Sequence, residues 1–170
     1  DGEVLRSFEG GDIAGITEKI SDGYFNDLGI SAIWLTPPVQ QIKGFVDEGT
    51  GKTYAYHGYW IRDWTTIDEN YGSMETFKAM IDSAHARGIR VVMDIVLNHV
   101  GPENPLDQPN WPSDWVRTRP TCDFSSAKGT QECTLEANLP DIYTESESAV
   151  DLPQWLMGKW ESEGRLQQEL

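Results

Sequence analysis

Positive charge is scarce in this 170-residue chain: 13 Lys and Arg stand against 28 Asp and Glu, a formal net charge of −15. Nucleic-acid phosphates would repel such a surface, and so would anionic lipid, so neither nucleic acid nor membrane is expected as a partner. No apolar run approaches the roughly 18 residues of a membrane-crossing helix. Low-complexity tracts and short-period repeats are also lacking. At 38% hydrophobic residues the composition can still supply a core and is not that of a disordered chain. The chain opens on Asp1-Gly2-Glu3-Val4, without an initiator Met, a basic n-region or an apolar h-region. That start predicts a processed or truncated chain, with any export signal outside it. The length suits one domain, or one domain with a small insertion. It falls short of the about 250 residues of a complete (β/α)8 barrel.

Cysteine is nearly absent as well. Cys122 and Cys133 lie in a polar stretch of Ser, Thr, Pro and Gly. They are either two free thiols in a loop or a disulfide closing that loop for roughly 3 kcal/mol. The disulfide is favoured because no local apolar pocket could bury thiols, and it implies an oxidising compartment. Without a nearby histidine the pair makes a poor zinc site.

What is present is an αβ rhythm. Ile13, Ile16, Ile20, Tyr24 and Leu28 recur at helical spacing behind Asp12, a capping residue, and Gly29 follows as a helix terminator. Ile30 to Thr36 is an apolar run stopped by Pro37-Pro38, as in a strand covered on both faces. Val39 to Asn70 is polar, Gly-rich and aromatic, with little helical period. Ser73 is placed to cap a second helix with Phe77, Met80, Ile81 and Ala84 on one face, ended by Gly88. Ile89 to Val96 is the second buried strand. Helix–Gly–strand thus occurs twice, and right-handed crossovers would make the strands parallel neighbours. His99 to about Glu145 is rich in Pro, Asp, Ser, Thr and Trp, too long for a plain loop and better read as an inserted subdomain. Asp151 and Pro153 then start a third helix, lined by Trp155, Leu156, Trp160 and Leu166. Two strands keep unpaired apolar edges, so the chain is expected to be part of a larger αβ domain with partner strands beyond its ends.

Three clusters could carry chemistry. The second strand ends in Asp94-Ile95-Val96-Leu97-Asn98-His99, where an acid, an amide and an imidazole emerge together. Function collects at such strand ends in parallel αβ folds, although a hydrogen-bonded turn would look the same. The loop after the first strand holds Tyr54-Ala55-Tyr56-His57-Gly58-Tyr59-Trp60. Rings around a histidine suit a sugar, because aromatic faces stack on pyranose C–H surfaces; a buried aromatic cluster is the alternative. The third cluster is Leu139-Pro140-Asp141-Ile142, a turn unless Asp141 is an oxygen ligand paired with Asn98.

Taken in order, these motifs resemble the α-amylase family of glycoside hydrolases. Gly11-Asp12-Ile13-Ala14-Gly15-Ile16 is similar to its opening G-D-x-x-G-I segment, and Ala32 to Pro37 to its second barrel strand. His57-Gly58-Tyr59-Trp60 is similar to its H-G-Y-W loop, Asp94 to His99 to its D-x-V-x-N-H signature, and Leu139-Pro140-Asp141 to L-P-D of its inserted domain B. The string Leu139 to Ser146 and the loop from Gln41-Ile42 to Trp60 are most similar to bacterial periplasmic α-amylases.

The resemblance implies a partial (β/α)8 TIM barrel, with about two barrel strands and flanking helices over 1–98, domain B over 99–147, and the next helical segment from 148 to 170. It implies that His57 hydrogen-bonds the sugar beside the scissile bond, Tyr59 stacks on it and His99 binds its hydroxyls. Asp94 and Trp60 would support the site. Asn98 and Asp141 would bind a structural Ca²⁺, with Glu132 or Asp123 as further candidates. Two side chains are too few for the usual roughly six to eight ligands of Ca²⁺, so carbonyls, waters and residues beyond Leu170 would supply the rest. Retaining cleavage needs an attacking carboxylate and a proton-donating one. The family's G-F-R-x-D, acid–base Glu and N-H-D signatures are not found in this sequence. The expectation is therefore the N-terminal part of a secreted or periplasmic enzyme acting on starch or maltodextrin α-1,4 bonds, inactive alone, with an α-glucan and the remainder of its own catalytic domain as partners. A glucanotransferase of the same family shares these motifs. A non-catalytic binding or scaffold relative would need none of His57, Tyr59, Asn98 and His99.

Overall fold

The structure, a computed structural model, describes residues 4–47, 49, 51–102, 113–135, 139–145 and 152–162. Helix α1 (Ile13–Ser21) begins where the Asp12 carboxylate accepts the Gly15 N–H at 2.8 Å. Its Ile13 and Ile20 are buried. The single helix expected as far as Leu28 breaks at Asp22-Gly23. The Asp22 carboxylate takes the Tyr24 N–H at 3.0 Å, and Gly23 adopts φ +85°, which a side chain would resist. The short α2 (Tyr24–Asp27) that follows leaves Tyr24 and Leu28 exposed rather than inward, and seats Phe25 against the core instead.

After Gly29 comes β2 (Ala32–Leu35). Helix α3 (Met74–Ala86) carries a capping box in which Ser73 and Thr76 satisfy each other's backbone N–H groups. It buries Phe77, Met80 and Ala84, with Ile81 half-buried beside them. After Gly88 comes β7 (Arg90–Met93), parallel to β2 with Ile33 opposite Val91 and Trp34 opposite Val92. The doubled helix–Gly–strand unit is therefore as expected, and α1 packs on α3.

Before and between these units lie strands that apolar patterning does not reveal. β3 (Val39–Gln41) pairs antiparallel with the seven-residue β6 (Ile61–Ile67). β1 (Val4–Arg6), β5 (Lys52–Thr53) and β4 (Val46–Asp47) form a small sheet in the order β1-β5-β4. Arg62-Asp63 interrupts the apolar pattern of β6. Asp63 is nevertheless buried, because Thr65 donates both its N–H and its hydroxyl to Oδ1 at 2.7 Å.

Trp64 of β6 is the centre of the core. Its indole N–H donates to the Val96 carbonyl at 2.7 Å, and its own carbonyl accepts the Trp160 indole N–H at 2.9 Å. Trp160 belongs to α5 (Leu152–Ser162), which buries Leu156 and Trp160 and half-buries Trp155. Asp151 and Leu166 lie outside the described residues.

Between β7 and α5 the elements are short: a 3-10 turn (Ser113–Trp115), β8 (Val116–Arg117), α4 (Ala127–Gln131) and β9 (Asp141–Ile142), with β8 and β9 antiparallel. Cys122 and Cys133 form a disulfide. Backbone bonds tie this segment to the end of the αβ unit: Val100 donates to Pro140 and Ile142 to Asn98, at 3.0 and 2.9 Å. Among the described residues β2 and β7 pair with each other alone, and one face stays open, with Trp34 74% and Val92 48% exposed.

Candidate active-site wall

The loop from Tyr56 to Trp60 is pinned at nearly every residue. Tyr71 donates its hydroxyl to the Tyr56 carbonyl at 2.8 Å. The buried Gln41 accepts the Trp60 N–H on Oε1 at 2.8 Å, and Ile42 N–H donates to the Trp60 carbonyl at 2.9 Å. Gln41 is itself held: its N–H donates to Asp68 and its amide to the Val39 carbonyl, at 2.9 and 2.8 Å. Gly58 sits at φ +86°, and a Cβ there would lie 2.7 Å from the Pro37 carbonyl oxygen. Glycine thus lets the loop press against the end of β2.

Within the loop the Tyr59 N–H donates to His57 Nδ1 at 3.0 Å, which leaves the proton of neutral His57 on Nε2. The His57 ring stacks on Tyr59 (interplanar 16°) and meets Trp60 edge-on, centroids 4.7 Å apart. Tyr56 and Tyr59 remain 40% and 39% exposed. The rings therefore form a surface open to solvent, which decides against a buried aromatic cluster.

The strand-end residues meet this surface. Tyr59 donates its hydroxyl to Asp94 Oδ2 at 2.9 Å, and that bond is the main reason its phenol titrates above the usual range. His99 Nε2 donates to the Tyr59 carbonyl at 3.1 Å. Burial lowers the His99 pKa, only partly offset by that bond, so the ring is held neutral. Its Nδ1 is buried without a hydrogen-bond partner among the described residues. Residues 34 to 42 positions apart in sequence thus share one constellation: His57, Tyr59 and Trp60 in front, Asp94 and His99 behind.

Asn98 and Asp141 are brought close only through backbone. His99 bridges Asp141, while Ile142 N–H donates to the Asn98 carbonyl at 2.9 Å. The Asn98 side chain is exposed. Asp141 is buried, its carboxyl pushed up to about 6 by burial against the opposing pull of Arg117, whose Nε lies 2.9 Å from Oδ2. Glu132 spends its carboxylate on Lys128 at 3.5 Å, and Asp123 accepts the Ser125 N–H at 2.9 Å. Among the described residues no three His, Cys, Asp or Glu side chains come together as a metal-binding group. This donor set as arranged does not fit a calcium ion: the buried Asp141 Oδ2 already faces the Arg117 guanidinium as an ion pair, although no hydrogen bond forms between Oδ2 and Nε.

Gln41, Tyr71 and Arg117 escaped sequence reasoning. Their roles depend on where the chain returns in space, which no local pattern shows.

A sheet pair flanked by helices, an aromatic loop against a strand end and an inserted stapled segment define a piece of a (β/α)8 catalytic domain. Residues 2–163 match the family described as the alpha amylase catalytic domain. The chain belongs to the α-amylase family. It is 44% identical over 100 residues to the periplasmic alpha-amylase of Escherichia coli (strain K12), covering 57% of this chain and 14% of that protein. It is equally 44% identical over 103 residues to a cyclomaltodextrin glucanotransferase of Bacillus sp. (strain 1011), covering 61% and 14%. Among solved structures, γ-CGTase of Bacillus clarkii superposes with a TM-score of 0.78 at 28% identity, over 92% of this chain and 24% of that one. The α-amylase of Geobacillus thermoleovorans, complexed with acarbose, superposes with a TM-score of 0.69 at 29% identity, over 89% and 32%. The chain thus spans about a seventh of the length of these curated relatives.

Proposed function

We propose that this chain forms one wall of the sugar cleft of a retaining glycoside hydrolase acting on α-1,4 bonds of starch or maltodextrin. The observation that carries this reading is the Tyr59–Asp94 hydrogen bond, which aims an exposed ring from the aromatic loop across the strand end. Tyr59 and His57 are the groups that meet the sugar, Tyr59 by stacking and His57 by hydrogen bonding. His99 and Trp60 hold them in place. Asp94 acts as an anchor: its carboxylate accepts the tyrosine hydroxyl. The attacking and proton-donating carboxylates are assigned to polypeptide outside these 170 residues. The disulfide, and the name of the Escherichia coli relative, support a secreted or periplasmic protein.

The test has two arms on the 170-residue chain. Incubation with soluble starch is expected to release no reducing sugar, and measurable release by pure protein overturns the division of labour. Maltohexaose, followed by NMR, is expected to shift the Tyr56–Trp60 signals weakly in the wild type and not in Tyr59→Ala. No shift at those residues in the wild type overturns the sugar-wall reading.

Transglycosylation is the second reading, favoured by the equal identity to the Bacillus glucanotransferase. Water and a second sugar resolve the same glycosyl–enzyme intermediate, so these residues serve either outcome. Product analysis on the complete reading frame separates them: linear maltooligosaccharides mark hydrolysis, cyclic dextrins mark transfer.

A further inference from the structure

Arg117 in β8 stands directly opposite Asp141 in β9, so the two side chains share one face of the pair. Its Nε is 2.9 Å from Asp141 Oδ2, and the two side chains are 12% and 8% exposed. The same guanidinium bonds the Glu145 carboxylate and lies 3.8 Å from the centroid of the Tyr143 ring. One positive charge thus meets two carboxylates and an aromatic face, with Arg117 and Asp141 turned inward and Glu145 and Tyr143 at the solvent edge. That place is where the inserted segment joins Asn98–Val100.

We infer that Arg117 is the built-in cation of this junction, filling with a guanidinium the position that the resemblance gives to a metal ion. A divalent ion bound to Asp141 at the ~2.3–2.6 Å of calcium–oxygen bonds would sit beside the guanidinium, with little water between to screen the repulsion. Arginine cannot shed its proton to make room. To admit the ion, Arg117 would have to leave both carboxylates and the Tyr143 face. Breaking a buried pair from one side is costly, because it strands the other charge.

Terbium, a luminescent stand-in for calcium, tests this on the whole 170-residue chain, with Trp115 and Tyr143 as sensitisers. Wild type is expected to give no saturable signal at the sub-millimolar concentrations where extracellular calcium modules fill. Arg117→Gln is expected to bind terbium at least tenfold more tightly. Calcium should displace that signal, and adding Asp141→Asn should remove it. Arg117→Lys keeps a positive charge and is expected to stay like wild type. Two results overturn the inference: saturable binding to wild type that Asp141→Asn removes, or Arg117→Gln binding no better than wild type. The wild-type and Asp141→Asn measurements decide it even where Arg117→Gln does not fold.

Discussion

Between Ile13 and Met93 the chain is held by apolar side chains; between Ser113 and Glu145 it is held by cross-links. In the first region Ile13, Ile20, Phe77, Met80 and Ala84 of two helices share one core with β6, whose Trp64 is fully buried. In the second the strands have two residues each, and stability comes from the Cys122–Cys133 bridge and the Arg117 ion pairs. Trp115 and Ile142 are its main contribution to the common core. A long helix can bury a stripe of methyl groups. A segment rich in Ser, Pro and Asp cannot, and covalent and ionic ties take over that task. The candidate site lies on the seam, and His99 belongs to both sides: its ring holds Tyr59 while its backbone bridges Asp141.

Removing the centre of the first region should have the largest effect. Trp64→Ala is expected to cost about 3–5 kcal/mol, because it leaves a cavity and deprives the Val96 carbonyl of its donor. Denaturant unfolding measures this, and a loss below about 1 kcal/mol would mean the core is not centred there. Next comes the staple. Cys122→Ser with Cys133→Ser is expected to cost about 3 kcal/mol by freeing the loop it closes. Hydrogen exchange should speed up around Thr121 and Thr134 and stay unchanged in β2 and β7. Faster exchange across both regions would erase the contrast.

At the seam, Gly58→Ala must place a Cβ against the Pro37 carbonyl at positive φ, an expected loss of about 1–3 kcal/mol. It should also remove the maltohexaose shifts of Tyr59. Wild-type stability with intact shifts would show that the loop does not depend on this close approach. The smallest effect is at Tyr71, whose phenol is pushed up to about 12 by burial and, secondarily, by Asp68. The fold favours its neutral form. Its contribution is fully present below the ordinary tyrosine pKa of about 10 and is lost as pH rises through about 12. Ultraviolet titration should show late-ionising tyrosine, and Tyr71→Phe should remove the latest part of it. An unchanged curve would show that burial beside Asp68 does not hold the Tyr71 proton.

Much of the αβ unit could be read from the chain. Asp12 and Ser73 announced helix starts, Gly29 and Gly88 their ends, and the two apolar runs between became a parallel pair. The reading failed where local chemistry overrode periodicity. Tyr24 and Leu28 continue the spacing of Ile13, Ile16 and Ile20, but the Asp22-Gly23 turn rotates them outward. β6 escaped because Arg62-Asp63 looks like a loop, and only the Thr65 donors make a buried Asp63 tolerable. Of the candidate site, His57, Tyr59, Asp94 and His99 were visible through their motifs. Gln41 and Tyr71, which hold the loop, were not, since a buried amide and a distant hydroxyl leave no pattern in sequence.

The sequence by itself determined residue types and local geometry: which runs are helix or strand, where glycine permits a turn, which rings and carboxylates are available. Those depend on neighbours a few positions away, and the chain carries that information directly. Tertiary structure decided pairing. It chose Asp94 as the acceptor of the Tyr59 hydroxyl, the Tyr59 carbonyl as the partner of His99, and Arg117 rather than open solvent as the neighbour of Asp141. Such choices turn on desolvation and on distances of about 3 Å between groups far apart in sequence, and only a packed interior sets them.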